Sequence, residues 1–258
     1  MFIFEIPEPL AFLLICLFAT ILSYVILKIV RRRVALDKLK ENHEIGAIMF
    51  NAFGLIYAVF ISFMVFAVWT EFQVAETNVE LEANMLNLLL RNSSTLNSDL
   101  KAEIRKDLKD YAETVINKDW KEMADGKNTS SISNLNTLFQ TVSKIKTDSS
   151  KSSTIFAEYY DNLNQLSRYR TLREMENKYN IPLILWIVLF FGAFISFCYS
   201  FFFSMNKFTV QVIFTSLLSS FTFLLLFLIY SFDHPFSGTI KVLPLPFEDF
   251  LNLIKSIN

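Results

Sequence analysis

Apolar and polar positions alternate along this chain in blocks, and the blocks have two different rhythms. Four stretches, 10–30, 47–69, 182–203 and 208–231, are almost unbroken runs of Leu, Ile, Val, Phe and Ala, each long enough to cross a bilayer as a helix. Lys28 is the only charged residue in the first run, and the second has none. At about 0.3–0.6 kcal/mol gained per central apolar residue, against about 2.5–3.5 lost per central charge, such runs insert. Between the second and third runs the rhythm changes to apolar residues every three or four positions with charges between them, the pattern of amphipathic helices. Leu100, Ile104, Leu108, Tyr111, Val115 and Met123 form one such stripe over 99–124. A shorter helix is expected over 132–146, after the loop "ADGKNTSSISN" (124–134). After a second loop, "TDSSKSS" (147–153), Phe156, Tyr159, Leu163, Leu166 and Met175 form another stripe up to 180.

The pattern predicts an all-α integral membrane protein. Spans 10–30 and 47–69 make an N-terminal hairpin within 1–69, a soluble helical stalk and bundle fills 70–180, spans 182–203 and 208–231 make a second hairpin within 181–232, and 233–258 is a tail. The junction after the second span is unusual. "FAVWTEFQVAETNVELEANMLNLLLR" (66–91) passes from apolar to acidic without a Gly or Pro, and keeps a seam at Phe72, Ala75, Val79, Ala83, Leu86 and Leu90. One helix from 47 to 91 is expected, about 65–70 Å long. Asn180 before Pro182 suits the start of the third span.

Composition sharpens this reading. The 258 residues are 53% hydrophobic and 16% aromatic with a net charge of −1, which offers no electrostatic footprint for nucleic acid. The two cysteines, Cys16 and Cys198, fall inside spans, where they serve as small apolar fillers. The first span is no cleavable signal, because its leading flank carries Glu5 and Glu8 while Arg31, Arg32 and Arg33 follow it. Lys28, those arginines, Lys38 and Lys40 in and beside the 31–46 loop, with Lys207 in the 204–207 connector, place both loops in the cytoplasm. Region 70–180 of this multi-pass cell-membrane protein is then extracytoplasmic, although Arg168, Arg170, Arg173 and Lys178 count the other way.

Catalytic chemistry finds no foothold. The two histidines, His43 and His234, fall on opposite sides of the membrane in this topology, "HEIGA" (43–47) lacks the second histidine of a zinc-protease helix, and no phosphate loop or nucleophile elbow is present. No enzyme, cofactor or metal is expected. The spans say more. Asn51, Gly54, Ala58 and Ser62 share one face of the second, and Gln211, Thr215, Ser219 and Thr222 one face of the fourth. Such stripes of small and weakly polar residues most often mark helix packing. Lining a water-filled path is the alternative, with Val65, Phe66 and Trp69 as a hydrophobic constriction. Glu71, Glu76, Glu80 and Glu82 begin where the second span leaves lipid; Glu71 and Glu82 are candidates for a cation-attracting mouth. Asp233, in "SFDHPFSG" (231–238), sits at the membrane edge where an ion or basic partner could bind.

Several segments together resemble the bestrophin-like family of bacterial membrane proteins. They are "RRRV" after the first span, "GLIYAVFISFMVFAVWTEF" in the second, "ELEANMLNLL" in the stalk, "YAETVINKDWKEMADG" (111–126) and "DHPFSG". The resemblance implies a ring-like homo-oligomer, a pentamer as in bestrophin channels. Inorganic ions would pass along the second span, with Ser62, Val65, Phe66 and Trp69 at its neck. A second functional class stays open: a non-conducting sensor or scaffold whose bundle binds a partner or ligand, with its Phe, Tyr and Trp side chains supplying the pocket.

Overall fold

The computed structural model describes residues 7–33, 43–127, 129–147, 149–202, 207–237 and 239–256. Outside them lie Glu5, most of the basic 31–46 loop, most of the 204–207 connector and Gly238; the side chains of Glu8 and His43 are likewise not described. The described residues contain helices and no strand. In chain order these are α1 (Glu8–Arg33), α2 (His43–Asn92), α3 (Ser98–Thr114), α4 (Trp120–Ala124), α5 (Ile132–Val142), α6 (Ser150–Lys178), α7 (Leu183–Phe202), α8 (Phe208–Phe232) and α9 (Leu245–Ser256). A 3-10 turn, Ser93–Thr95, follows α2, and a π turn, Val115–Asp119, joins α3 to α4. Among the described residues four stretches are long and apolar enough to cross a membrane: Pro9–Arg33, Ile45–Thr95, Leu183–Phe201 and Phe208–Phe232.

Local chemistry accounts for the ends. The Asn97 side chain accepts from the backbone N–H of Leu100 at 2.9 Å and starts α3. Ser149 and Ser152 exchange hydrogen bonds in a capping box at the start of α6. Gly126, with φ of 69°, stops α4 by returning its N–H to Met123 O at 2.9 Å. No such signal interrupts α2, which runs as one helix of 50 residues. The π turn has a geometric origin: Tyr111, Val115, Asp119 and Met123 are all buried, four residues apart. Each four-residue step overshoots an α-helical turn by about 40°. The wider π turn absorbs that drift and keeps Asp119 and Met123 facing inward.

The chain divides into two compact units. The first comprises the described parts of 1–70 and 180–233, with α1, the first part of α2, α7 and α8. Here α1 and α8 pack on the polar stripe of the fourth span: Gln211, Thr215, Ser219 and Thr222 are all buried. Ser23 donates to Ser219 Oγ at 3.0 Å, and Arg31 Nε donates to Gln211 Oε1 at 3.0 Å. That stripe is therefore a packing face, in which small residues let the helices approach and bond. On the other flank Tyr57 of α2 donates its hydroxyl proton to Leu189 O of α7 at 2.8 Å. Its ring occupies the space above Gly192, where an added Cβ would come within 2.2 Å of it.

The second unit holds the described parts of 71–179, 234–237 and 241–258. Its core joins Phe72, Ala75, Val79, Ala83, Leu86 and Leu89 of α2 to Ile104, Leu108 and Tyr111 of α3 and to Tyr159, Leu163 and Leu166 of α6. Burying each large side chain contributes about 1.5–3 kcal/mol. Two expectations shift. The seam ends on Leu89 rather than Leu90, and Met175, expected on the α6 stripe, is 60% exposed. The stripe instead continues through Arg170 and Arg173, both buried. The segment read as a tail contributes to this core as well: Phe247, Phe250 and Ile254 of α9 are buried, and Trp120 lies between Phe236 and Phe247 while donating Nε1–H to Val242 O at 3.2 Å.

Candidate functional site

α2 within the first unit has three faces, set by steps of three and four residues. Tyr57, Ile61, Met64 and Val68 are buried in the unit. Ile48, Ile56, Val59 and Phe63 form a large apolar face, 49–70% exposed, of the kind lipid accepts. Between them lies the small and polar face of Asn51, Gly54, Ala58, Ser62, Val65, Phe66 and Trp69. Unlike the similar stripe on α8, it is not sealed: Asn51, Ala58 and Ser62 are exposed, Phe66 is 68% exposed, and no atom lies within 4 Å of a Cβ built on Gly54. Ser62 satisfies its hydroxyl by donating to Ala58 O at 2.8 Å. All of these residues except Asn51 border one crevice of about 590 Å³, with Ser196, Leu218, Phe221, Thr222 and Leu225 across from them. Trp69 closes one part of its wall by standing edge-on to Phe232, ring centres 5.2 Å apart.

The carboxylates fare differently. Glu82 is not a mouth residue. It is fully buried in the second unit, where Oε2 accepts from Arg173 Nε at 2.7 Å and Oε1 accepts from Tyr111 OH at 2.7 Å and Arg173 Nη2 at 3.1 Å. With its charge matched and both oxygens occupied, no mobile ion can use it. Arg173 also donates to Asp119 Oδ2 at 3.0 Å, turns Nη1 to the Met123 sulfur and lies over the Trp120 ring at 5.3 Å. Asp119 Oδ1 accepts the backbone N–H groups of Ser130 and Ser131, both at 3.0 Å. Beside this cluster Arg170 donates to Glu174, Thr129 and Ser131, and Thr129 bonds Glu174. Burial pushes the Tyr111 hydroxyl well above the usual phenol range, and the Glu82 charge pushes it further, so Tyr111 stays a proton donor. Burial alone would lower the Arg173 pKa, but Glu82 and then Asp119 outweigh it and hold the guanidinium charged.

Asp233 is likewise not a free ion site. It is buried, and its Oδ1 accepts the backbone N–H of Ile181 at 2.7 Å, which fixes the chain just before α7. Glu71 is half-buried, with Glu76 and Glu80 exposed further along the helix. It has a neighbour that the sequence reading did not single out. Burial raises the Glu176 carboxyl above its ordinary value, and the Glu71 charge raises it further. Among the described residues no group of His, Cys, Asp and Glu could hold a metal ion.

The Glu82–Arg173–Asp119 cluster carried a readable signal. From Tyr159 through Leu163 and Leu166, steps of four and three lead onto Arg170 and Arg173, so arginines occupy core positions. Arginine in register with an apolar stripe requires buried partners. Acidic residues in register with the apolar stripes of other elements, Glu82 and Asp119, are where such partners are found.

Comparison with known proteins agrees with this architecture. A crystal structure of a variant of a bacterial Bestrophin homolog from Klebsiella pneumoniae superposes with a TM-score of 0.70, covering 93% of this chain and 98% of that one at 14% identity. A second variant of that homolog gives a TM-score of 0.68 over 93% and 96% of the two chains, again at 14% identity. At this identity the likeness concerns the fold. No curated protein matches the chain. The Bestrophin-like domain matches residues 14–247, from inside the first span to the start of the last helix, and by that match the chain belongs to the Bestrophin-like family.

Proposed function

We propose that the chain is the subunit of an oligomeric ion channel in the cell membrane, with α2 lining the pathway. The observation that carries this reading is the open face of α2. A helix facing only lipid has no use for Asn51, Gly54, Ala58 and Ser62 in one line. A helix packed within its own unit would bury them, as α8 buries its own stripe. Copies arranged about these faces would enclose a path polar at Asn51 and Ser62 and narrow and apolar at Val65, Phe66 and Trp69, where a dewetted constriction can gate. The two hairpins, 1–69 and 181–232, hold the subunit in lipid; family kinship supports a ring, with five copies as the working number. Glu71, Glu76 and Glu80 beyond the constriction would raise the local concentration of cations over anions.

Planar-bilayer recording of the purified protein tests the proposal. The expected result is a current that reverses at a potential set by the cation gradient and grows when Phe66→Ala widens the constriction. Absence of current above the empty-bilayer control, for common cations and anions alike, rejects it. The placement of 70–180 outside the cytoplasm rests on the positive loops. Labelling of Lys127→Cys by an impermeant thiol reagent in intact cells, with Cys16 and Cys198 replaced by Ala, tests that placement; labelling only after lysis reverses it.

A further inference from the structure

The second unit contains a pocket that plays no part in the pathway proposed above. The end of α2, the 3-10 turn Ser93–Thr95, the first turns of α3 and Leu253 of α9 enclose a cavity of about 630 Å³, within the size range of small-molecule sites. Three cations border it, Arg91, Lys101 and Arg105, and no carboxylate does. Elsewhere in this unit five basic side chains have acidic neighbours, Arg173 with Glu82 and Asp119, Arg170 with Glu174, Lys144 with Glu103, Lys127 with Asp125, and Lys109 with Glu113, whereas the cavity gathers three cations with no acid among its lining residues. Around the cavity none of the three has an ion-pair partner among the described residues. Arg105 is held in place by donating Nη2–H to Ile254 O at 2.6 Å, which leaves the rest of its guanidinium for other acceptors.

The polar groups add a second requirement. Ser93 and Ser94 spend their protons on Leu90 O and Arg91 O, at 2.6 and 2.9 Å, so they offer the cavity oxygen lone pairs. The side-chain oxygen of Asn87 is buried and accepts no hydrogen bond. A buried acceptor without a donor is costly, about 1–3 kcal/mol, and a donor brought by an occupant of the cavity would relieve that cost. The occupant must therefore bring negative charge for three cations and hydrogen-bond donors for Asn87 and the serines. Leu88 and Leu253 allow a carbon skeleton between those groups.

We propose that this cavity binds a small hydroxylated organic polyanion, carrying two or three charges as phosphate or carboxylate groups. Arg91 and Arg105 present forked donors that match either group, and Lys101 adds a point charge. Asn87 would accept from a ligand hydroxyl. The site is independent of conduction, so its test does not depend on the outcome of the bilayer experiment.

Isothermal titration of the full-length protein in detergent, with glucose 6-phosphate, citrate, inorganic phosphate and sodium chloride at matched ionic strength, decides the matter. Saturable binding of glucose 6-phosphate or citrate is expected, at least tenfold tighter than inorganic phosphate, which has no skeleton for Leu88 and Leu253. The stronger of the two organic ligands identifies the preferred anionic group. Arg91→Gln with Lys101→Gln, both at exposed positions, should weaken that binding at least tenfold while the melting curve of the unliganded protein is unchanged. Asn87→Leu should weaken the organic ligands and leave inorganic phosphate unaffected. No saturable heat from either organic anion overturns the proposal; so does affinity within twofold of wild type in the double variant, or chloride competing as well as citrate.

Discussion

Arg173→Met tests the account of the second unit most directly. The substitution keeps most of the volume and removes the cation from a site where Arg173, Glu82 and Asp119 are each fully buried. Glu82 then loses two of its three hydrogen bonds and keeps only the Tyr111 hydroxyl. Asp119 loses one of three and keeps the Ser130 and Ser131 amides. Two buried carboxylates remain with no counter-charge. Removing one partner of a buried ion pair costs about 3–5 kcal/mol. For a chain of this size about 2–4 °C of Tm corresponds to each kcal/mol, so Arg173→Met should lower Tm by about 6–20 °C. Glu82→Gln is the control. It keeps the side-chain shape and an acceptor for Tyr111, and leaves Arg173 paired with Asp119, so its cost should be near that of one charged hydrogen bond, about 1.5–3 kcal/mol. Thermal unfolding of the detergent-purified protein, followed by helical circular dichroism, measures both. A Tm drop below about 2 °C for Arg173→Met, or a larger drop for Glu82→Gln than for Arg173→Met, would refute the reasoning.

Three further expectations follow from geometry already described. Gly192→Ala forces a methyl group into the Tyr57 ring and should cost about 1–3 kcal/mol; in a Tyr57→Val background, with the ring gone, the same substitution should cost little, and equal costs in both backgrounds would remove the clash as the cause. Asp233→Ala should destabilise the fold by the worth of a helix cap, about 1 kcal/mol, read as a lower Tm, and Asp233→Asn, which keeps the acceptor for Ile181, should recover most of it; equal losses would mean that the charge of Asp233 matters more than its hydrogen bond. Glu176 is stabilising in its protonated form, because its folded-state pKa is raised above the ordinary 4.5. Its contribution is complete below pH 4.5 and is lost as pH rises through the raised value, so Glu176→Gln should be more stable than wild type at neutral pH and equal to it in acid. A stability difference that grows as pH falls would contradict the sign.

The four spans and the unbroken α2 were legible because a bilayer demands long apolar runs and because nothing between Leu55 and Asn92 can stop a helix. The bundle helices were legible from their stripes up to Leu166. Beyond that point the reading failed for a physical reason: hydropathy counts arginine as solvent-facing, whereas Arg173 is buried against Glu82 and Asp119, distant in sequence, and Arg170 against Glu174 on its own helix with Thr129 and Ser131. The same rule made Glu82 look like a surface acid. α9 was missed because Phe247, Phe250 and Ile254 lie on one face of a short segment that follows two prolines, Pro244 and Pro246, and only their partners on α3 and near Trp120 give that face a use. The small-residue stripes of α2 and α8 look alike along the chain. Their different fates, one open and one buried, depend on which helix packs against each, and periodicity carries no such information.

The contribution of α9 to the core orders events during biosynthesis. Residues 71–179 leave the ribosome before the last two spans, whereas Phe236, Phe247, Phe250 and Ile254 emerge after them. Trp120 and the apolar side of α3 must wait, uncovered, through the insertion of α7 and α8. Membrane insertion therefore precedes maturation of the second unit, and a nascent chain stalled before Phe247 leaves a sticky intermediate for quality-control proteases to remove.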